Sequence, residues 1–423
     1  MRLLLILCLC PVLFVSCRET PSVITPDTGT DILAQTNPIK PSMRPPIEGV
    51  YSVTAGNDVF GDQFALKWSY VVSANFVDTT FTLSIFAGKD MAYFDLQGGT
   101  LDSVFLFTGY WRKMTNTETG AVRLTIPKTT GGRLLFGPRP IVNADSIVFT
   151  GNFGSGTDAP TRALTFRYNR PLYSGRQFEV LAHRGGGRTS DLLPVSENSV
   201  EMILFTPRLG STGIEIDLRL TKDGVPILYH DNTINTRLTQ KSGLVGTIEE
   251  YTYAQLQAFV TLIHGEKIPT LQQVLDAALY RTPIRTVYLD NKNSADLAME
   301  VAIQKDYTAK AAAAGRTFHI LIGLPTTDKV NEFLALPDYA SAPSLCELTI
   351  DDTRNCKSLV WAPRWTLGTQ VSDVAQMHAE GRKVVTWTMD VPQYVQQYVL
   401  QGDFDGILTN YSPMVAYYNY TRQ

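Results

Sequence analysis

Between residues 48 and 172 apolar and polar positions alternate with period two, the pattern of strands with one buried face. The clearest runs cover 81–88, 103–111, 120–127, 146–154 and 163–170, separated by clusters of Gly, Asn, Asp or Thr. Nothing in this stretch reads as a long helix, so it predicts a smaller all-β domain, a sandwich or a barrel. From 173 to 423 the texture changes. Short apolar runs at 178–183, 213–221, 225–230, 286–292, 318–324, 358–361, 383–390 and 404–410 alternate with helical stretches. One helix is framed by Ser372 as a start signal and Gly381 as a stop. Another follows Pro269 and Thr270, with Leu271, Val274, Leu275 and Ala278 on one face. Eight strands in about 250 residues predict an α/β domain of the (β/α)8 TIM-barrel class.

The N-terminus has a different logic. Arg2 precedes an apolar run from Leu3 to Val15, too short to span a bilayer, and then come Ser16 and Cys17. The segment Phe14-Val15-Ser16-Cys17 resembles a bacterial lipobox, which implies a signal peptide over 1–17, lipidation of Cys17 and anchoring in a membrane of the bacterial cell envelope. A plain secretory signal is the alternative. Residues 18–47 are rich in Pro and Thr without apolar periodicity and predict an extended tether. Beyond Cys17 only Cys346 and Cys356 remain, open to a disulfide in an exported chain or to two buried thiols.

Composition narrows the function. With 44% hydrophobic and 18% charged residues the 423-residue chain has ample material for cores, and 37 basic against 40 acidic side chains leave a net charge of -3. So balanced a chain lacks the positive field of a nucleic-acid binder.

The candidate chemistry lies in the second domain. Strand residues two apart share a face, so Glu215 and Asp217 point one way while Ile214, Ile216 and Leu218 point the other. Asp290 and Lys292 share a face by the same rule. Inside a barrel these carboxylates converge and repel, and protons or a cation must offset them. Oxygen-only ligands favour one divalent cation, Ca2+ or Mg2+. Salt bridges from Glu215 and Asp217 to Arg219 or Lys222 are the bland alternative. His183-Arg184 and His230-Asp231 each end a strand, where barrel enzymes place reacting groups. Histidine suits proton transfer near neutral pH, and the Arg184 fork matches phosphate oxygens. Trp387 ends another strand and reads as a pocket wall, with a core tryptophan as its alternative. His264, His319 and His378 have no evident partner.

Taken in order, these motifs carry a resemblance. Leu181-Ala182-His183-Arg184-Gly185-Gly186, Glu197-Asn198-Ser199, Glu215 with Asp217, His230-Asp231, Ile268-Pro269-Thr270-Leu271, Asp290 with Lys292, Trp387-Thr388-Met389-Asp390 and Asp405 to Asn410 resemble the glycerophosphodiester phosphodiesterase family over about 178–413. The resemblance implies general acid and base roles for His183 and His230, and metal ligation by Glu215, Asp217 and Asp290. It also implies phosphate neutralisation by Arg184 and Lys292, and buttressing by Glu197 and Asn198. The implied reaction is attack by a neighbouring glycerol hydroxyl, giving a cyclic phosphate that water opens. Three departures stand out: Asp290 where glutamate is usual, Val195-Ser196 between Pro194 and Glu197, and Asp390 with Asn410 where Asn and Asp are usual. Two function classes follow. One is a membrane-tethered hydrolase of small glycerophosphodiesters; the other is a surface lipoprotein whose β domain binds glycan through exposed aromatics, beside an inactive barrel.

Overall fold

The period-two stretch closes on itself. In the computed structural model, which describes residues 23–423 except 25, 139 and 293–295, eight antiparallel strands run in a meander. They are Gly49–Ala55, Gln63–Val72, Thr79–Ala87, Ala92–Leu101, Val104–Lys113, Thr119–Ile126, Val148–Phe153 and Arg162–Arg170. The first pairs with the last, Val53 opposite Phe166, so the sheet is a barrel rather than a sandwich. Its core is aromatic: Tyr51, Phe64, Phe94, Phe107, Phe149 and Phe166 are buried together, with Phe149 and Phe166 stacked at 4.7 Å. These rings are packing, while Phe76 and Phe136 of the same domain are exposed, at 61% and 39%.

One expectation for the N-terminal half changes. Residues 18–47 do not remain a free tether through to residue 47. Asn37–Pro38 pairs with the strand Ala92–Leu101, Pro41–Met43 and Pro45–Ile47 form 3-10 turns, and Ile39, Met43 and Ile47 join the barrel core. Three apolar residues four apart, set among prolines, are too sparse a signal to register as periodicity. The signal segment 1–17, with Cys17, lies outside the described residues.

The second domain is the expected (β/α)8 barrel, with one strand exchanged. Its parallel strands are Glu179–Ala182, Gly213–Leu220, Thr286–Asn291, His319–Leu324, Ser344–Cys346, Val360–Trp361, Lys383–Thr386 and Gly406–Thr409, and the last pairs with the first. The run at 225–230 is not the third barrel strand. Its ordered part, Pro226–Leu228, folds back antiparallel on the second strand, with Leu218 opposite Leu228. The strand that restores the count is Ser344–Cys346, three residues flanked by Pro343 and Glu347, too short for any period to show. Aliphatic residues on the outer faces of the strands, such as Ile214, Ile216, Val287 and Leu289, pack with Leu271, Val274 and Leu275 of the helix Leu271–Arg281. That helix starts as expected, Thr270 accepting from the Gln273 amide. The helix Val371–Ala379 starts one residue before Ser372 without a side-chain cap, and Gly381 follows its end at φ +75°. Cys346 and Cys356 are buried free thiols. Among the described residues no helix is long and apolar enough to cross a membrane.

The two barrels share one apolar cluster. Ala65, Phe86, Met91 and Tyr93 of the first pack with Leu209, Met414, Val415 and Ala416 of the second. Phe86 stacks on Tyr420, and a Cβ on Gly88 would lie 2.8 Å from the Tyr417 ring, so the close approach there requires glycine. Arg208 pairs with buried Asp95 at 3.1 Å. The shared core predicts joint unfolding. Phe86→Ala should destabilise the whole chain by about 3–5 kcal/mol in a denaturant titration, with both domains melting in one transition.

Candidate active site

Strand register decides what meets at the barrel mouth. Asp217 stands opposite Asp290 on the adjacent parallel strand, and Glu215 lies two residues earlier on the same inward face. Ligand oxygens of Glu215, Asp217 and Asp290 lie within 4.8 Å of one another. Glu215 and Asp217 are almost fully buried, at 1% and 0% exposure. The Lys292 ammonium sits 2.7 Å from Asp217 Oδ1 and also bonds Asp290. One ammonium does not neutralise three carboxylates. Burial, then Asp217 and Asp290, push the Glu215 carboxyl well above the usual carboxylate range. Burial also works against ionised Asp217, but Lys292 and His230 outweigh it and hold this group low. Glu215 Oε1 is buried without a hydrogen-bond partner. An unpartnered carboxylate oxygen within an all-oxygen set fits a hard divalent cation. Arg219 is not the partner of these acids: it pairs with Glu249 and donates to the carbonyls of Tyr229 and His230.

The histidines flank this set. His183 follows the first strand, and its Nδ1 lies 2.7 Å from Asn410 Oδ1. Asn410 Nδ2 in turn donates to Asp390, which fixes the amide so that its oxygen faces the ring. Nδ1 of His183 therefore carries the proton and Nε2 presents a lone pair, 3.8 Å from Glu215 Oε2. Burial, then Arg184, lower the pKa of this ring. His230 arrives by the hairpin, not by a barrel strand: Tyr229 N bonds Asp217 O at 3.0 Å, and the next residue stands over the carboxylates. Its Nδ1 is 2.7 Å from Asp231 Oδ1, and its Nε2 is 2.8 Å from Arg184 Nη2.

Arg184 links the groups. Its backbone N donates to Glu215 Oε2 at 2.8 Å and Nη1 to Glu197 Oε1 at 2.9 Å, while Nε is buried with no acceptor. It adopts φ +54°, a left-handed conformation that side chains disfavour. Asn198, also left-handed at φ +57°, donates from Nδ2 to Asp217 Oδ2 at 2.6 Å and accepts the Asp217 amide at 3.1 Å. Glu197 and Asn198 thus stand behind the site. Trp387 is half-buried, with Nε1 bonded to Ala362 O and the Arg364 guanidinium 4.9 Å from its ring. His378 belongs to the opposite end of the barrel, where it bonds Asp405.

Several groups at the mouth escaped the sequence reading. Glu347 follows the unrecognised strand Ser344–Cys346, accepts the Tyr288 hydroxyl, and has its pKa pushed up by burial to about 7. Arg237 ties Asp231 to Glu197 from a loop with no periodic signal. The inward position of Tyr288, two before Asp290, was the one available clue to this wall.

A model of the Glycerophosphoryl diester phosphodiesterase family matches residues 183–413. The chain belongs to this family. Glycerophosphodiester phosphodiesterase 1 of Mus musculus is 32% identical over 162 residues, 34% of this chain and 45% of that one. The chain thus spans less than half of that relative. Probable glycerophosphodiester phosphodiesterase 2 of Mycobacterium tuberculosis is 28% identical over 249 residues, 55% of this chain and 86% of that one. A crystal structure of a glycerophosphodiester phosphodiesterase from Parabacteroides distasonis is similar at TM-score 0.44 and 21% identity, over 56% of this chain and 94% of that one. The family match begins at His183, so the β barrel lies outside it.

The unbalanced carboxylates generate a binding prediction. Ca2+ or Mg2+ at about 100 times its Kd should stabilise the fold by about 2.7 kcal/mol, read as a rise in Tm. Glu215→Gln should abolish the rise; a wild-type Tm indifferent to both ions contradicts the assignment.

Proposed function

We propose that the chain is a divalent-metal-dependent hydrolase of glycerophosphodiesters, releasing glycerol 3-phosphate and an alcohol. The observation that carries this reading is the meeting of Glu215, Asp217 and Asp290 between two imidazoles of opposite support. A divalent cation held by Glu215, Asp217 and Asp290 would supply Lewis-acid stabilisation of charge developing on phosphate oxygen. Lys292 and Arg184 add positive charge on either side, and the free Nε–H of Arg184 offers a donor for a phosphate oxygen.

The two histidines divide the work through their partners. Asn410 is neutral, so the buried His183 ring stays neutral and its Nε2 accepts the proton of the attacking hydroxyl. Asp231 holds the His230 ring through Nδ1, and its Nε2, which accepts from Arg184 Nη2 here, is the nitrogen that would pass a proton to the leaving alcohol once the guanidinium turns to phosphate. An internal glycerol hydroxyl is a nucleophile of high effective concentration, and the same rings exchange roles when water opens the resulting cyclic phosphate. Asp390 acts on this cycle through the orientation of Asn410, and its negative charge also favours the protonated form of the His183 ring. Against the inactive-barrel alternative stands the completeness of the set.

The opening residues extend the proposal. Read as a lipoprotein signal, they would anchor the enzyme on a membrane of the cell envelope through lipidated Cys17, beside the deacylated phospholipids that would be its substrates. Release of glycerol 3-phosphate from glycerophosphocholine should be measurable and should stop with EDTA. His183→Ala and His230→Ala should each lower kcat by about 10²–10⁴ without loss of fold. Activity untouched by chelation, or undiminished in either variant, contradicts the mechanism.

A further inference from the structure

We infer that the β barrel is part of the catalytic apparatus, and that Arg112 is the residue through which it positions Arg184. Arg112 lies on the strand Val104–Lys113, is 3% exposed, and points out of the β barrel toward the other domain. Its Nη1 donates to Leu192 O at 2.8 Å and its Nη2 to Asp191 O at 2.6 Å. Both carbonyls belong to the loop that joins the first barrel strand to its helix. Asp191 in the same loop binds the Arg188 amide at 2.7 Å, and Leu192 holds φ +55°. Thr189, between them, donates its amide and its hydroxyl to Glu197 Oε2 at 2.6 and 2.9 Å. Glu197 Oε1 then receives Arg184 Nη1, whose neighbour Nη2 meets His230. An unbroken series of hydrogen bonds and backbone therefore runs from Arg112 to the two groups assigned to the phosphate and the leaving alcohol.

The surroundings make this clamp matter. A cavity of about 1000 Å3 opens between the domains, lined by Tyr93, Tyr110 and Arg112 on one side and by Thr189, Leu192 and Pro194 on the other. Leu193 anchors the loop in the apolar cluster shared with Tyr93, while Leu192 and Pro194 on either side border open volume, where directional bonds from Arg112 add to what packing does. The same volume admits water, which can satisfy the two carbonyls when the guanidinium is removed, so an Arg112 variant has a route to a folded state. Arg208, by contrast, joins the domains through Asp95 and touches no part of the loop.

The kinetic arm of the test rests on the phosphodiesterase reading; the exchange arm does not. In the full chain, Arg112→Met should raise hydrogen exchange of amides 188–198 and lower kcat/KM about 10- to 100-fold, the scale of a misplaced catalytic group. Arg112→Lys, which keeps one donor, should recover part of both and serves if the methionine variant misfolds. Arg208→Met should lower Tm while leaving kcat/KM and loop exchange unchanged. Equal exchange in wild type and both Arg112 variants, or activity that tracks Tm alike in the Arg112 and Arg208 variants, would overturn the inference. A wild type without activity would refute the proposed reaction, and the exchange comparison would still decide the clamp.

Discussion

Three carboxylates brought together at the mouth of a barrel that buries two of them, Glu215 and Asp217, are the constraint from which the site follows. At about 4 Å and an effective dielectric near 20, each ionised pair costs about 4 kcal/mol. Parallel register makes the crowding unavoidable, because it sets Asp217 beside Asp290 while period two returns Glu215 to the same face. Lys292 offsets one charge, and the raised Glu215 carboxyl shows where the remainder falls. A divalent cation relieves what a proton otherwise would. The shorter Asp290 still reaches the group, so the loss of a methylene relative to glutamate leaves the triad closed.

Around that centre the fold supplies asymmetry. One imidazole leans on an amide, the other on a carboxylate, and each of those is tied down by a further charged group, Asp390 or Arg237. Positions 390 and 410, where the chain departs from the usual order of Asn and Asp, remain hydrogen-bonded to each other. The exchange preserves the pair and changes only which member faces His183. The β barrel bonds the loop behind Arg184, so an element outside the family match reaches the surroundings of the group proposed to meet phosphate.

Much of this was legible in the sequence, for identifiable reasons. Buried parallel strands with acids at alternate positions are conspicuous, which is why Glu215, Asp217, Asp290 and Lys292 were placed together. The helix after Thr270, and His183 at the end of the first strand, were equally readable, whereas His230 was expected on a barrel strand and comes from a hairpin. What failed was whatever depended on very short elements or on pairing partners. Pro226–Leu228 has the composition of a barrel strand, and only its antiparallel pairing shows otherwise. Ser344–Cys346 hid Glu347. In the β barrel, 49–55, 63–72 and 92–101 escaped because their burial follows closure of the sheet more than strict alternation. Arg112 could not be found from sequence at all, since its partners are backbone carbonyls about 80 residues away.

Anomalous diffraction from crystals of the full chain soaked in Mn2+, an ion of the same oxygen preference, addresses the central claim directly. One strong peak within coordination distance of Glu215, Asp217 and Asp290 together is the expected result. A peak at any other site, or none where the carboxylates converge, contradicts the account.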